Sequence, residues 1–247
     1  MIKGERMKAD RTTILTTDRS VIYFDNTLSV NADPESWFDP LNPELQSELV
    51  PSGGRAAAWF INLGDQQCVL RHYRRGGMAA RFLHNQYLWT GIERSRAVLE
   101  FSVMQSLWET GLPVPQPLAA AVWRRGLSYQ AALITAKIEA ATPLAYAESK
   151  QAWASAGQSI AKMHHAQVWH ADLNVFNVLV DPQLCAWLID FDRARNGYLT
   201  PWQRSENLSR LLRSVRKVCP HSEQEYWPVL IEAYAVQEQN LLLNAGE

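Results

Sequence analysis

The chain has 247 residues, 47% of them hydrophobic and 20% charged, and a net charge of −1. That composition is typical of a globular protein able to bury one large core or two small ones, and it excludes a nucleic-acid coat protein, which needs a strongly basic surface. Stretch 1–11 is charged and lacks an apolar signal segment, no run approaches the ~18 apolar residues of a membrane span, and Cys68, Cys185 and Cys219 read as buried free thiols of a reducing compartment. The ten tryptophans are scattered and are expected mostly in the core or at a lobe interface.

In chain order, residues 12–30 read as short strands, with Val21-Ile22-Tyr23-Phe24 apolar and Asp25-Asn26 as a turn. Segment 33–44 holds three prolines and four acids, and reads as a loop or helix start with Pro43 opening a turn at Glu44-Leu45. Gly53 and Gly54 precede an apolar strand. They fit either a loop whose backbone N–H groups approach phosphates or a plain hairpin turn. Gly64-Asp65 is the next turn, leading into strand Cys68–Arg71 and the basic loop Arg74-Arg75-Gly76-Gly77. Residues 95–110 read as a helix with Ala97, Phe101, Met104, Leu107 and Trp108 on one stripe, Glu100 beside it, and Gly111 and Pro113 as the stop. An extended connector, 113–117, follows. Strands 118–123 and 129–135 flank a turn at Arg124-Arg125-Gly126, and residues 136–139 are a candidate hinge. A helix is expected over 143–165.

That helix runs into His170-Ala171-Asp172-Leu173-Asn174-Val175-Phe176-Asn177, then the apolar run Val178-Leu179-Val180. A second apolar run, Trp187-Leu188-Ile189, ends in Asp190-Phe191-Asp192. The first string fits the catalytic-loop pattern H-x-D-L-x-x-x-N of protein kinases, and the second fits the first two places of D-F-G. Phosphoryl transfer needs a carboxylate at the acceptor hydroxyl and hard oxygen ligands for magnesium on the ATP phosphates. Asp172 suits the first task; Asn177 and Asp190 suit the second. By position, the glycine pair would lie on the nucleotide. Arg71 would stand in for the strand lysine or else face solvent. Glu100 would be the helix acid that pairs with it or a surface glutamate. Residues 136–139 would meet adenine.

Charge is uneven. Residues 193–217 carry seven basic side chains against Glu206 alone, and residues 71–96 carry six arginines against Glu93. Such segments are either solvated faces or contacts for ATP, a phosphorylated substrate or an acidic membrane. Helical patterns continue around 208–218 and 226–243. In the first, Arg210, Arg213 and Arg216 share a drifting face opposite Leu208, Leu211, Leu212 and Val215.

The strings GLPVPQPLAA (111–120), HADLNVFNVLVD (170–181) and WLIDFDRAR (187–195) resemble the 3-deoxy-D-manno-octulosonic acid (Kdo) kinases, lipopolysaccharide-core sugar kinases. The resemblance runs from the glycine pair to the last helices. It implies an α+β, two-lobed, protein-kinase-like fold: one domain over 1–247, with a β-rich N-lobe (1–138) and a mainly helical C-lobe (139–247). It also implies ATP- and magnesium-dependent phosphorylation of the Kdo 4-hydroxyl on a Kdo–lipid A precursor. The enzyme would be peripheral to the cytoplasmic side of the bacterial inner membrane and could contact its anionic surface. Asp172 would be the base, Asn177 and Asp190 the metal ligands, and Arg71 with Glu100 the phosphate-positioning pair. Asp192 replaces the D-F-G glycine, and no A-P-E motif is present, which argues for a glycan rather than a peptide acceptor. A heptose kinase, another carbohydrate kinase and a catalytically inactive pseudokinase scaffold are the competing readings. A nucleic-acid partner is disfavoured by the net charge of −1.

Overall fold

The computed structural model describes residues 6–8, 11–18, 20–28, 33–51, 58–73 and 87–244. The protein is α+β, and its chain divides into two compact units. One is Met1–Ser102 with Gln116–Lys137; the other is Val103–Pro115 with Ile138–Glu247.

The first unit is built on strands β1 (Arg6–Lys8), β2 (Thr12–Thr16), β3 (Ser20–Asp25), β4 (Glu48–Leu49), β5 (Ala58–Leu63), β6 (Gln66–His72), β7 (Tyr87–Leu88), β8 (Pro117–Arg125) and β9 (Ser128–Ala136). Among the described residues they form one sheet in the order β1-β2-β3-β8-β9-β6-β5-β4, with β7 also on β9. The pairings are antiparallel. The central strand β8 is buried from Pro117 to Val122. Both of its faces are covered, so its apolar run does not alternate with polar residues. A register shift separates Pro117 from Ala119, as expected where proline offers no N–H to the ladder. The expected turn at 124–126 moves on: β8 keeps Arg124 and Arg125, and the reversal falls at Gly126-Leu127, where Gly126 takes φ +61°.

Segment 33–49 covers part of this sheet. Its two 3-10 turns, Pro34–Phe38 and Pro43–Leu45, each start at a proline and are capped by Asp33 and Asn42. They bury Trp37, Phe38 and Leu45 against Ile22, Phe24, Leu70 and Ile134. Helix α1 (Arg96–Glu109) carries the buried stripe Ala97, Phe101, Met104 and Leu107. It closes with Gly111 N–H on the Trp108 carbonyl (2.9 Å) and Leu112 N–H on the Leu107 carbonyl (3.1 Å), and Gly111 has φ +75°.

In the second unit, helix α2 (Lys150–His165) starts seven residues later than the sequence suggests. Thr142-Pro143 is strand β10 and 144–146 a 3-10 turn; Ser149 then caps the helix by accepting from Ala152 N–H. Strands β11 (Val168–Trp169), β12 (Val178–Val180), β13 (Ala186–Leu188) and β14 (Arg195–Asn196) follow, then helices α3 (Pro201–Val218), α4 (Ser222–Glu225) and α5 (Trp227–Asn244). β10, β12 and β13 form one small sheet; β11 and β14 pair separately. The β12–β13 turn is organised by Asp181, which accepts from Gln183 and Cys185 N–H and from Trp187 Nε1. Ser155 and Ser159, one helical turn apart on α2, satisfy the N–H and C=O of Ala186. Gly157 is required for helix packing: a Cβ there would lie 2.2 Å from the Leu230 carbonyl oxygen of α5.

Among the ten tryptophans, Trp37 and Trp153 are buried, Trp59 and Trp123 are half-buried against the core of the first unit, and Trp202 is 71% exposed. The indole N–H needs a polar partner, which Glu35 gives Trp123 and Asp181 gives Trp187. Cys185 is half-buried rather than buried, while Cys68 and Cys219 are buried as expected.

Candidate active site

In the second unit, the residues after β11 wrap around one carbonyl. Asn174 Nδ2 and Asn177 Nδ2 both donate to the Asp172 carbonyl, at 2.9 and 2.8 Å. Asn174 Oδ1 takes Phe176 N–H at 2.9 Å, and Asn177 N–H donates to the Asn174 carbonyl at 3.0 Å. Ile189 N–H then donates to the Asn177 carbonyl, joining the loop to the segment after β13. Because the Asn177 nitrogen is engaged, the amide oxygen is its remaining ligand atom. The loop thus fixes the backbone and leaves the Asp172 carboxylate outside, its side chain 66% exposed.

His170 is the knot beneath this loop. It is fully buried, and its Nδ1 accepts the Asp172 N–H at 3.1 Å. That acceptor role places the proton on Nε2, which donates to the Ile189 carbonyl at 3.0 Å. Its ring packs on Phe191 with centroids 5.0 Å apart. Burial drives the His170 pKa down, against the opposing pull of the Ile189 carbonyl, Asp190 and Asp172. A neutral imidazole therefore ties the residue before Asp190 to the residue carrying the candidate base. Asp190 itself has φ +62°, a left-handed conformation that aspartate tolerates better than most residues.

Sequence reasoning missed the next layer. Asn207 on α3 is fully buried; its Nδ2 donates to the His170 carbonyl at 2.7 Å and its Oδ1 accepts His170 N–H at 3.2 Å. The same Oδ1 accepts from His164 Nε2 at 3.1 Å, and His164 Nδ1 takes the Tyr234 hydroxyl at 2.9 Å. Burial lowers the His164 pKa to about 4. One turn further along α3, Arg210 Nη1 lies 3.7 Å from Asp172 Oδ1, and Ser214 Oγ accepts Val175 N–H at 3.1 Å. Asn207, Arg210 and Ser214 therefore form one loop-bracing face. The i, i+3, i+7 spacing of polar residues on a helix next to a leucine stripe was the available signal. The expected arginine face is revised accordingly: Arg210 turns to the loop, Arg216 pairs with Glu223 at 2.7 Å, and Arg213 is exposed.

In the first unit, β6 delivers Arg71 to Glu100, as the positional comparison suggested. Glu100 is 2% exposed, and its second oxygen accepts the Tyr73 hydroxyl. The Arg71 guanidinium also lies 5.2 Å from the Tyr73 ring centroid. Tyr73 was legible: it is two residues beyond Arg71, the spacing that returns a strand to the same face. Gly53 and Gly54 lie outside the described residues, as does the loop 74–77.

Among the described residues no group of three or more His, Cys, Asp or Glu side chains is placed to hold a metal ion. Magnesium does not need one, since it takes one or two protein oxygens and fills its octahedron from phosphates and water. The Asp190 carboxylate and the Asn177 amide oxygen fit that donor set.

A carboxylate presented on a braced loop, with hard oxygen donors in the same unit, is compatible with phosphoryl transfer to an alcohol, and the comparisons give the class: a kinase, a phosphotransferase with an alcohol acceptor. Residues 43–234 match the model of the lipopolysaccharide kinase (Kdo/WaaP) family. Proteins named 3-deoxy-D-manno-octulosonic acid kinase are 44% identical in Stenotrophomonas maltophilia over 73% of this chain and 74% of the relative. Those of Xylella fastidiosa and Xanthomonas campestris are 43% and 45% identical, each over 75% of this chain and 74% of the relative. The chain belongs to the lipopolysaccharide kinase (Kdo/WaaP) family.

Proposed function

We propose that this protein transfers the γ-phosphoryl group of ATP to the 4-hydroxyl of Kdo on a Kdo–lipid A precursor, as one catalytic domain. The observation that carries the reading is Asp172, an exposed carboxylate on a rigidly hydrogen-bonded loop, in a chain about 44% identical to proteins named for that sugar acid. Asp172 accepts the proton of the attacking hydroxyl. Asp190 and Asn177 hold Mg2+, which when bound neutralises charge on the phosphates. Arg71, oriented by Glu100 and Tyr73, offers its guanidinium to phosphate oxygens, and Gly53 and Gly54 offer backbone N–H groups.

No helix among the described residues is long and apolar enough to cross a membrane. The reading places the enzyme on the cytoplasmic face of the inner membrane, in contact with anionic lipid. Tyr198 and Trp202, 83% and 71% exposed and close in sequence to Arg193 and Arg195, support this, since aromatic and basic side chains partition to such interfaces. The test is mass spectrometry of Kdo–lipid A precursor after incubation with enzyme, ATP and Mg2+. The expected result is one added phosphate on the Kdo unit, with no label on a heptose-terminated acceptor. Labelling of the heptose acceptor alone would reject the assignment.

A further inference from the structure

We infer that Arg210 binds the carboxylate of the acceptor sugar and so selects a sugar acid over a neutral sugar; this rests on the Kdo reading above. Arg210 Nη1 is 3.7 Å from Asp172 Oδ1, well beyond the 2.7–2.9 Å of a formed charge-assisted hydrogen bond. The guanidinium is close to the base without being consumed by it. Its Nε is buried, while 35% of the side chain is exposed. The exposed part of the guanidinium therefore stands beside Asp172, and a planar carboxylate is what such a group pairs with best.

The chemistry of the acceptor calls for such a group. A sugar acid that presents a hydroxyl to Asp172 brings a second negative charge near that carboxylate. Like charges brought together oppose binding, and a cation fixed beside Asp172 offsets the repulsion. Carboxylate and ring hydroxyl of one sugar acid lie a few ångströms apart, the scale of the Arg210–Asp172 separation. Arg210 then has different work from its neighbours Asn207 and Ser214. Those two spend their polar atoms on loop backbone, whereas Arg210 reads the substrate.

The test compares Kdo–lipid A precursor with the same compound after conversion of its Kdo carboxylate to the methyl ester, for wild type, Arg210→Gln and Arg210→Lys. Wild type is expected to prefer the acid by about 10- to 100-fold in kcat/KM, the range of a charged hydrogen bond. Arg210→Gln should lose activity on the acid and little on the ester, collapsing the preference toward one. Arg210→Lys, which keeps charge but not the fork and guards against a folding defect, should retain part of it. An acid-to-ester ratio in Arg210→Gln equal to that of wild type overturns the inference, because a residue that only positioned Asp172 would slow both acceptors alike. Wild type that phosphorylates acid and ester equally also overturns it while leaving the Kdo reading standing. Wild type inert on both removes the Kdo reading and this inference with it.

Discussion

Glu100 in the first unit is 2% exposed, with Arg71 and Tyr73 on its two oxygens; Asp172 in the second is 66% exposed in its side chain, with one loose cation at 3.7 Å. The first carboxylate is fixed by direct charge. The second is fixed through its backbone, by a lattice of neutral groups: His170, Asn207, His164 and Tyr234. The difference fits the work proposed for each. A carboxylate that must take a proton from substrate cannot have its lone pairs permanently occupied, so rigidity has to come from elsewhere. A carboxylate that only orients an arginine can be buried and saturated.

The comparison is broken most forcefully at Asp172. Asp172→Ala should lower kcat about 10²- to 10⁴-fold while changing unfolding free energy by no more than about 0.5 kcal/mol, as for an exposed side chain. Steady-state turnover alongside urea unfolding checks both. Near-normal kcat rejects the base assignment, and a large stability loss rejects the view that the loop is held without this side chain.

Glu100→Ala should show the reverse balance. It strands the Arg71 charge and the Tyr73 hydroxyl, costing about 3 kcal/mol of stability, since Arg71 retains some solvent. Tyr73→Phe, which leaves Glu100 paired to Arg71, should cost less. Equal and small losses in the two variants would show that the buried acid is not organised by charge.

The neutral lattice carries a pH signature. His164 is held at about 4 in the fold by burial, below the 6.5 of a free imidazole. The unfolded chain therefore binds the extra proton between these values, and stability, complete above pH ~6.5, falls as pH drops toward 4. His164 alone should remove about 2 kcal/mol between pH 7.5 and pH 5. His170, also shifted down by burial, adds in the same direction. His164→Gln, which keeps a donor and an acceptor but cannot titrate, should flatten that slope. Urea melts at the two pH values decide: a wild type equally stable at both excludes a buried neutral pair.

The smallest effect is expected at Arg216. Its pair with Glu223 links α3 to α4 at the surface, away from the Asn207–Arg210–Ser214 face. Arg216→Gln should leave melting temperature and turnover unchanged. A loss of turnover would restore the basic stripe as a working surface.

What the sequence showed and hid follows from distance along the chain. Asp172, Asn177 and Asp190 stood out because they fall at the places of the H-x-D-L-x-x-x-N and D-F patterns within some twenty residues. The Arg71–Glu100 pair was reached by position. Asn207 and Ser214 were passed over because their partners His170 and Val175 lie 37 and 39 residues away, and the i, i+3, i+7 spacing on α3 marks a shared face without naming what it meets. The late start of α2 was missed because alanines around 145–147 are good helix formers, whereas Pro143 and the Ser149 cap decide the boundary. The arginine spacing on α3 suggested one surface, but identical side chains three residues apart met three different environments.

The bracing of the Asp172 loop from α3 and α5 also bears on how the protein is made. Synthesis proceeds from the N-terminus, so Asp172 leaves the ribosome before Asn207, Ser214 and Tyr234 have been added. A nascent chain that already displays the complete catalytic motif lacks the helices that hold it in register. The hydrogen bonds behind the loop can be completed only after α5 has been made and the Tyr234 hydroxyl can close on His164.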